Sequence, residues 1–131
     1  EINGSELNHV NVLNSNPQIL IRIYGYLYTS QKIGIEIRLC DSSETPIVFY
    51  SPHHADSPLL PAGNFMIEET MTLPVGLMNG DYFGSIYLTN SLVEGLVDLP
   101  KSFVLEVDGC ASKSGFQFSY NSNNGFLYLN H

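Results

Sequence analysis

The chain has 131 residues, a length that fits one folded domain with its own core. Apolar residues make up 44% and charged residues 14%, which excludes a disordered chain and a coiled coil. Thirteen acidic residues against five basic ones give a net charge of -8, and this excludes the basic surface that nucleic-acid binding needs. The acidic balance favours a neutral or cationic ligand, or it serves solubility alone.

The first residue, the apolar runs and the cysteines give three further expectations. The chain opens at Glu1 without a methionine, so we expect it to be a fragment of a longer protein. No apolar run approaches the ~20 residues that a membrane span needs. Cys40 and Cys110 are the only cysteines, and two do not make a disulfide framework. We therefore expect two free thiols in a reducing compartment.

Period-two alternation of apolar residues recurs along the chain, and helical periodicity does not. The predicted strands, in chain order, span residues 7–13, 18–28, 32–40, 46–51, 65–73, 81–90, 102–107, 115–120 and 125–130. "DSSET" at 41–45 and Asn79-Gly80 predict turns, and the proline-rich residues 52–64 predict a loop that crosses between sheets. Eight or nine strands without a helix predict an all-β fold, an antiparallel β-sandwich in one domain spanning residues 1–131.

Three of these strands place aromatic and charged side chains on the outward face. In residues 18–28, Ile19, Ile21 and Ile23 claim one face and leave three tyrosines and an arginine on the other. The outward residues of the three strands that we assign to a binding site are Arg22, Tyr24, Tyr26, Tyr28, Glu36, Arg38, Phe83 and Tyr87. We assign three phenylalanines to the core, namely Phe49, Phe65 and Phe103.

A row of tyrosines on a polar sheet face suits a carbohydrate ligand. Tyrosine rings offer a flat partner to the C–H-rich faces of sugars, and their hydroxyls exchange hydrogen bonds with sugar hydroxyls. Two alternatives stay open at this point. The tyrosines are also good strand formers on a partly covered sheet, and they also suit a contact between subunits.

Enzyme signatures are mostly absent from the sequence. There is no phosphate-binding loop, no dinucleotide fingerprint and no nucleophile elbow. Glu68 and Glu69 are adjacent on a predicted strand and point to opposite faces, so they cannot form the carboxylate pair of a glycosidase. We expect His53 and His54, near Asp56, to be exposed loop residues and not metal ligands. The sequence therefore predicts no catalytic residue, no metal and no cofactor.

Four segments form a recognisable series, namely residues 33–49, 73–88, 98–107 and 125–131. In this order they resemble the C-terminal domain of Wzt-type proteins, the ATP-binding subunits of ABC transporters that export O-antigen polysaccharide. The positions that match the family pattern are Gly34, Asp41, Leu77, Gly80, Tyr82, Asp98, Phe103, Val107 and Gly125. The resemblance covers residues 18–131, and the order and spacing of the segments carry it.

The resemblance implies a jelly-roll-like or immunoglobulin-like sandwich that recognises an undecaprenyl-linked glycan before export, on the cytoplasmic side of the bacterial inner membrane. It also implies a homodimer that works with the ATP-binding and transmembrane parts of the transporter. The matched positions are turn and core residues, so the resemblance transfers no binding residue. Because this chain lacks the ATPase motifs, we expect a non-catalytic carbohydrate-binding domain. The alternative is a structural or dimerisation module of a glycan-processing or transport protein, with a last strand whose edge pairs with another chain.

Overall fold

The computed structural model describes residues 1–2, 4, 9–53, 56–90, 95–121 and 125–129. These residues contain nine strands and no helix, which confirms the predicted all-β class. The strands are β1 (His9–Leu13), β2 (Gln18–Leu27), β3 (Gln31–Lys32), β4 (Gly34–Cys40), β5 (Pro46–Tyr50), β6 (Leu59–Leu60), β7 (Gly63–Thr72), β8 (Gly80–Thr89) and β9 (Gly95–Asp108). Within the described ranges, no helix has the length and apolar character needed to cross a membrane.

The strands form two facing sheets and a short ribbon. The larger sheet has five strands in the order β1-β9-β8-β4-β5, and β2 pairs with β7 in the smaller sheet. β3 and β6 form the ribbon. The pairings are antiparallel except for β1 with β9, which run parallel with His9 opposite Val104. The predicted antiparallel sandwich is confirmed, and the parallel pair at this edge is the exception among the named strands.

One hydrophobic core lies between the two sheets. Alternate residues of each strand point into it, such as Ile19 and Ile21 on β2 and Ile35, Ile37 and Leu39 on β4, all of them buried. Full burial of an isoleucine or leucine side chain contributes roughly 1.5–3 kcal/mol, so this alternation stabilises the pairing register of every long strand. It also determines which side chains remain on the outside.

Two glycines on the inner faces of the sheets accommodate phenylalanine rings from the neighbouring strand. Gly84 on β8 lies opposite Phe103 on β9, and Gly25 on β2 lies opposite Phe65 on β7. A Cβ atom on Gly84 would lie 2.1 Å from Cζ of Phe103, and one on Gly25 would lie 2.4 Å from Cζ of Phe65. Each ring therefore occupies the space that a side chain at the glycine would fill. The core assignments are confirmed for Phe103, which is buried, and in part for Phe65.

The C-terminal quarter departs from the predicted strands. β9 begins at Gly95, earlier than the predicted 102–107. Residues 115–120 and 125–130 were predicted as strands, but their described residues form only isolated bridges, such as Ser119 with Asn79 and Leu127 with Leu77. The backbone of this segment hydrogen-bonds to the residues before β8 one or two groups at a time, at Gly76, Met78 and Asn79.

The predicted loop at residues 52–64 contributes a polar contact between the sheets. The His53 side chain is 18% exposed, so the prediction of an exposed histidine is wrong, and His54 lies outside the described residues. Nδ1 of His53 accepts a hydrogen bond from the Ile35 amide (3.2 Å), so Nε2 carries the proton that faces Glu69 Oε1 at 2.8 Å. The Tyr50 hydroxyl also donates to Glu69 (3.4 Å). Glu68 faces outward, which confirms that the two glutamates point apart.

Candidate functional site

The structure divides the eight predicted binding residues between two outward faces of the sandwich. One group lies on the smaller sheet, and we call this surface the tyrosine face, formed by Arg22, Tyr24, Tyr26, Tyr28, Asn64, Met66 and Glu68. The other group lies on the larger sheet, and we call this surface the groove face, formed by Glu36, Arg38, Cys40, Phe49, Phe83, Ser85 and Tyr87. Because the two sheets share one core, the faces point away from each other and the eight residues do not form a single site.

On the tyrosine face, Tyr24, Tyr26 and Tyr28 are 61%, 59% and 90% exposed, as the alternation predicts. The charge of Arg22 is matched by two carboxylates, Glu68 at 2.8 Å and Glu1 at 3.0 Å. The hydrogen bonds with Glu68 and then Glu1 raise the pKa of Arg22 above its usual value. The tyrosine face is therefore an exposed aromatic surface, and its arginine, Arg22, is already paired with carboxylates.

An apolar cleft of about 380 Å³ opens beside the tyrosine face, between β2 and the β8–β9 pair. Tyr24 and Tyr26 form part of its rim, and its walls are mostly aliphatic and aromatic, including Ile23, Ile33, Phe65, Leu88, Val97 and Leu99. Gln31 is the one polar side chain besides the tyrosines among its described lining residues. Sugar hydroxyls need several hydrogen-bond partners, and this cleft offers few.

The groove face contains an open groove of about 290 Å³ that combines aromatic and polar walls. Its floor comes from outward residues of β4 and β8, and the turn after β4 and two prolines form its sides. The lining residues are Arg38, Cys40, Asp41, Glu44, Pro46, Phe83, Ser85, Tyr87 and Pro100. Strand alternation places these side chains outward because Ile37, Leu39, Tyr82 and Ile86 fill the core on the other side.

Arg38 lies between two aromatic rings on this face. β4 runs between β5 and β8, so Phe49 lies across from Arg38 on one side and Tyr87 approaches from the other. The guanidinium carbon is 5.4 Å from the Phe49 ring centre and 5.0 Å from that of Tyr87. At exposed sites, contacts of this kind contribute roughly 0.5–1 kcal/mol each and favour this position of the arginine. Among the described residues, no carboxylate lies within ion-pair distance of Arg38.

The Asp41 carboxylate organises the turn that walls the groove. Its Oδ1 accepts hydrogen bonds from the amides of Ser43 (2.8 Å) and Thr45 (2.9 Å), and its Oδ2 accepts one from the Tyr120 hydroxyl (2.6 Å). These bonds, that from Tyr120 first, lower the pKa of Asp41, and the same bond raises the pKa of Tyr120. Asp41 thus ties the turn to the C-terminal segment. The family resemblance had matched it only as a turn residue.

We expect the contribution of the Asp41–Tyr120 bond to stability to be limited to a window of pH. The pKa of Asp41 is lower in the folded protein than its value near 3.9 in the unfolded chain, so Asp41 contributes fully to stability above about pH 3.9. This contribution is lost as the pH falls below that value. The pKa of Tyr120 is higher in the folded protein than its value near 10 in the unfolded chain, so Tyr120 contributes fully to stability below about pH 10. This contribution is lost as the pH rises above that value. The test is the difference in unfolding free energy between the wild type and Tyr120→Phe, measured by urea denaturation across pH. A difference of the same size at pH 3 and pH 7 would contradict this prediction.

Metal-binding geometry does not occur in the part of the chain that the structure describes. No three His, Cys, Asp or Glu side chains are grouped there closely enough to hold a metal ion. Cys40 and Cys110 are both free of disulfides, as predicted, and Cys110 is buried. Burial raises the pKa of the Cys110 thiol, which keeps it protonated.

Sequence reasoning missed Phe49, which it placed in the core. The ring is 55% exposed and contacts Arg38 on the groove face, while its two neighbours on β5, Val48 and Tyr50, pack against the core. The hairpin register carries the signal that identifies it. Pairing residues 34–40 with 46–50 across the turn puts Phe49 opposite Arg38, and Arg38 was already assigned outward.

The fold and the groove define an all-β sandwich domain with an open aromatic and polar groove on its larger sheet. It is similar to a solved structure described as the C-terminal domain of wzt, with a TM-score of 0.61 and 15% sequence identity. The match covers 75% of this chain and 63% of that one, so the chain spans less than two thirds of its length. No protein-family model matches the chain, and no curated protein matches it in sequence. The resemblance seen in the four sequence segments is confirmed as a likeness of fold.

Proposed function

We propose that this chain is a carbohydrate-binding domain and that the groove on the larger sheet is its binding site. The observation that carries the proposal is Arg38, held between the Phe49 and Tyr87 rings with no carboxylate partner among the described residues. The aromatic rings stack on sugar faces, and the arginine donates hydrogen bonds to sugar oxygens. Glu36, opposite Tyr87 on the same face, supplies acceptors.

The geometry suits several sugars bound along an open groove. Neighbouring strands hold the groove side chains in register, so little conformational entropy is lost on binding. Each sugar hydroxyl exchanges a bond to water for a bond to protein, so the affinity at one site is low. Two sites in a homodimer raise the avidity when one glycan, or neighbouring glycans, reach both.

The ligand that we propose is an O-antigen polysaccharide, carried on undecaprenyl and recognised before export by an ABC transporter. Support comes from the fold likeness to the C-terminal domain of Wzt and from the four sequence segments that resemble that family. The domain then works at the cytoplasmic face of the inner membrane with the ATP-binding and transmembrane parts of the transporter. It binds without catalysis, and ATP hydrolysis belongs to another part of the transporter.

The test is a calorimetric titration of the chain with two O-polysaccharides, one from the bacterium that encodes it and one from an unrelated serotype. We expect saturable binding of the first and none of the second. Incubation with the bound glycan should release no new reducing ends, because no step in binding cleaves it. Absence of binding at millimolar repeat unit would contradict the proposed function, and an increase in reducing ends would contradict its non-catalytic character.

The second candidate is a structural or dimerisation module, and one surface favours it. Val75, Phe116 and Leu129 are exposed near the C-terminal segment, where the Phe118 and Tyr128 rings stack at 4.2 Å. Exposed apolar side chains grouped in this way are typical of protein contacts. Light scattering of the wild type and Leu129→Asp separates the two functions. A dimer that dissociates in this variant while wild-type protein binds no glycan supports the module.

A further inference from the structure

The two arginines on the outward faces differ in how their charge is matched. Arg22 on the tyrosine face has Glu68 and Glu1 at 2.8 and 3.0 Å. Arg38 on the groove face has no hydrogen bond or ion pair to any residue that the structure describes, although the chain carries thirteen acidic residues. In the groove wall, the Asp41 carboxylate already accepts hydrogen bonds from Ser43, Thr45 and Tyr120.

The surroundings of Arg38 favour a bidentate contact between its guanidinium and a planar anion. The Phe49 and Tyr87 rings approach the guanidinium carbon from the two neighbouring strands and restrict its rotamers. Its N–H groups have no described protein acceptor, and their fork matches the two oxygens of a planar anion. Arg38 is exposed, so a ligand in the open groove can reach these N–H groups.

We propose that the groove recognises a sugar that carries a carboxylate, a uronic acid, and that Arg38 is the bidentate partner of that carboxylate. This specificity rests on the proposed function, since it names the ligand class of the same groove. The net charge of -8 favours a neutral or cationic ligand when the whole chain is considered. Charges beyond roughly 8 Å are largely screened at physiological ionic strength. The contact with Arg38 therefore competes only with the acidic groups of the groove itself, Asp41 and Glu44, and not with the net charge of the whole chain.

The experiment compares the cognate O-polysaccharide with its carboxyl-reduced form, in which each uronic acid has become a neutral sugar. Reduction should weaken binding to the wild type by roughly tenfold to hundredfold, the effect of losing hydrogen bonds to a charged group. Arg38→Gln should weaken binding of the native glycan equally, and reduction should then have no further effect. Arg38→Lys keeps the charge without the fork and should recover part of the affinity. Arg22→Gln is the matched control and should bind as the wild type does.

The outcomes separate this proposal from the proposed function. Equal binding of native and reduced glycan to the wild type, or a cognate glycan whose composition includes no uronic acid, overturns the carboxylate and leaves the carbohydrate-binding function intact. A loss in Arg38→Gln without a loss on reduction also overturns it, because the arginine then binds a phosphate or a hydroxyl. If neither form binds any variant, both proposals fail.

Discussion

Replacing Gly84 with alanine is expected to lower the free energy of unfolding by about 3 kcal/mol. The added Cβ would lie 2.1 Å from Cζ of Phe103, and that ring is 1% exposed in the centre of the core. Because protein cores are close-packed around such buried rings, the substitution forces β8 and β9 apart or drives Phe103 off its rotamer. Urea denaturation of the wild type and Gly84→Ala measures the effect.

Two further variants show whether the ring is the cause. In a Phe103→Ala background the clash is absent, so adding Gly84→Ala should cost less than about 1 kcal/mol more. Gly25→Ala is the matched comparison, because its Cβ would lie 2.4 Å from Cζ of Phe65, a partly buried ring on the open apolar cleft. Phe65 can swing into that cleft, so a smaller loss of about 1 kcal/mol is expected. Equal losses for Gly84→Ala in the two backgrounds would contradict this account.

Replacing Tyr87 with alanine is expected to weaken glycan binding by roughly tenfold. The change removes a stacking surface from the groove and one of the two rings that position Arg38. Phe49→Ala should have a similar effect because it removes the other ring. Titration calorimetry with the cognate O-polysaccharide measures the loss, and thermal unfolding checks that each variant is folded.

The control for these variants is Tyr26→Ala on the opposite face. Tyr26 is 59% exposed and lies outside the groove, and its only ring contact among the described residues is with Tyr28 at 5.2 Å. Its removal should change the affinity by less than about twofold. The reverse pattern, with a loss in Tyr26→Ala and none in Tyr87→Ala, would move the site to the tyrosine face.

Much of the fold could be predicted because burial imposes a period of two on each long strand. β2, β4 and β8 have buried residues at alternate positions, and their observed bounds lie close to those predicted. The parallel pairing of β1 with β9 could not be predicted in this way, because alternation defines the faces of a strand and not its neighbour. The strands predicted in the C-terminal segment were wrong for a related reason. Its alternation is real, but most of its backbone bonds go singly to loops.

The site could be predicted residue by residue but not as a unit. Each of the eight residues was assigned to an outward face, but the sequence does not show which faces belong to the same sheet. The three tyrosines of residues 18–28 were the largest aromatic group in the prediction. They lie on the smaller sheet, however, where Arg22 is already paired with Glu68. Arg38 and Tyr87 gain their importance from Phe49, whose position depends on the hairpin register.

The most direct measurement is a map of backbone amide chemical shifts in ¹⁵N-labelled protein as the cognate O-polysaccharide is added. The account predicts the largest changes at Arg38, Ser85 and Tyr87 on the groove face, with the tyrosine face unchanged. Changes confined to Tyr24, Tyr26 and Met66, or no change anywhere at millimolar repeat unit, would contradict it.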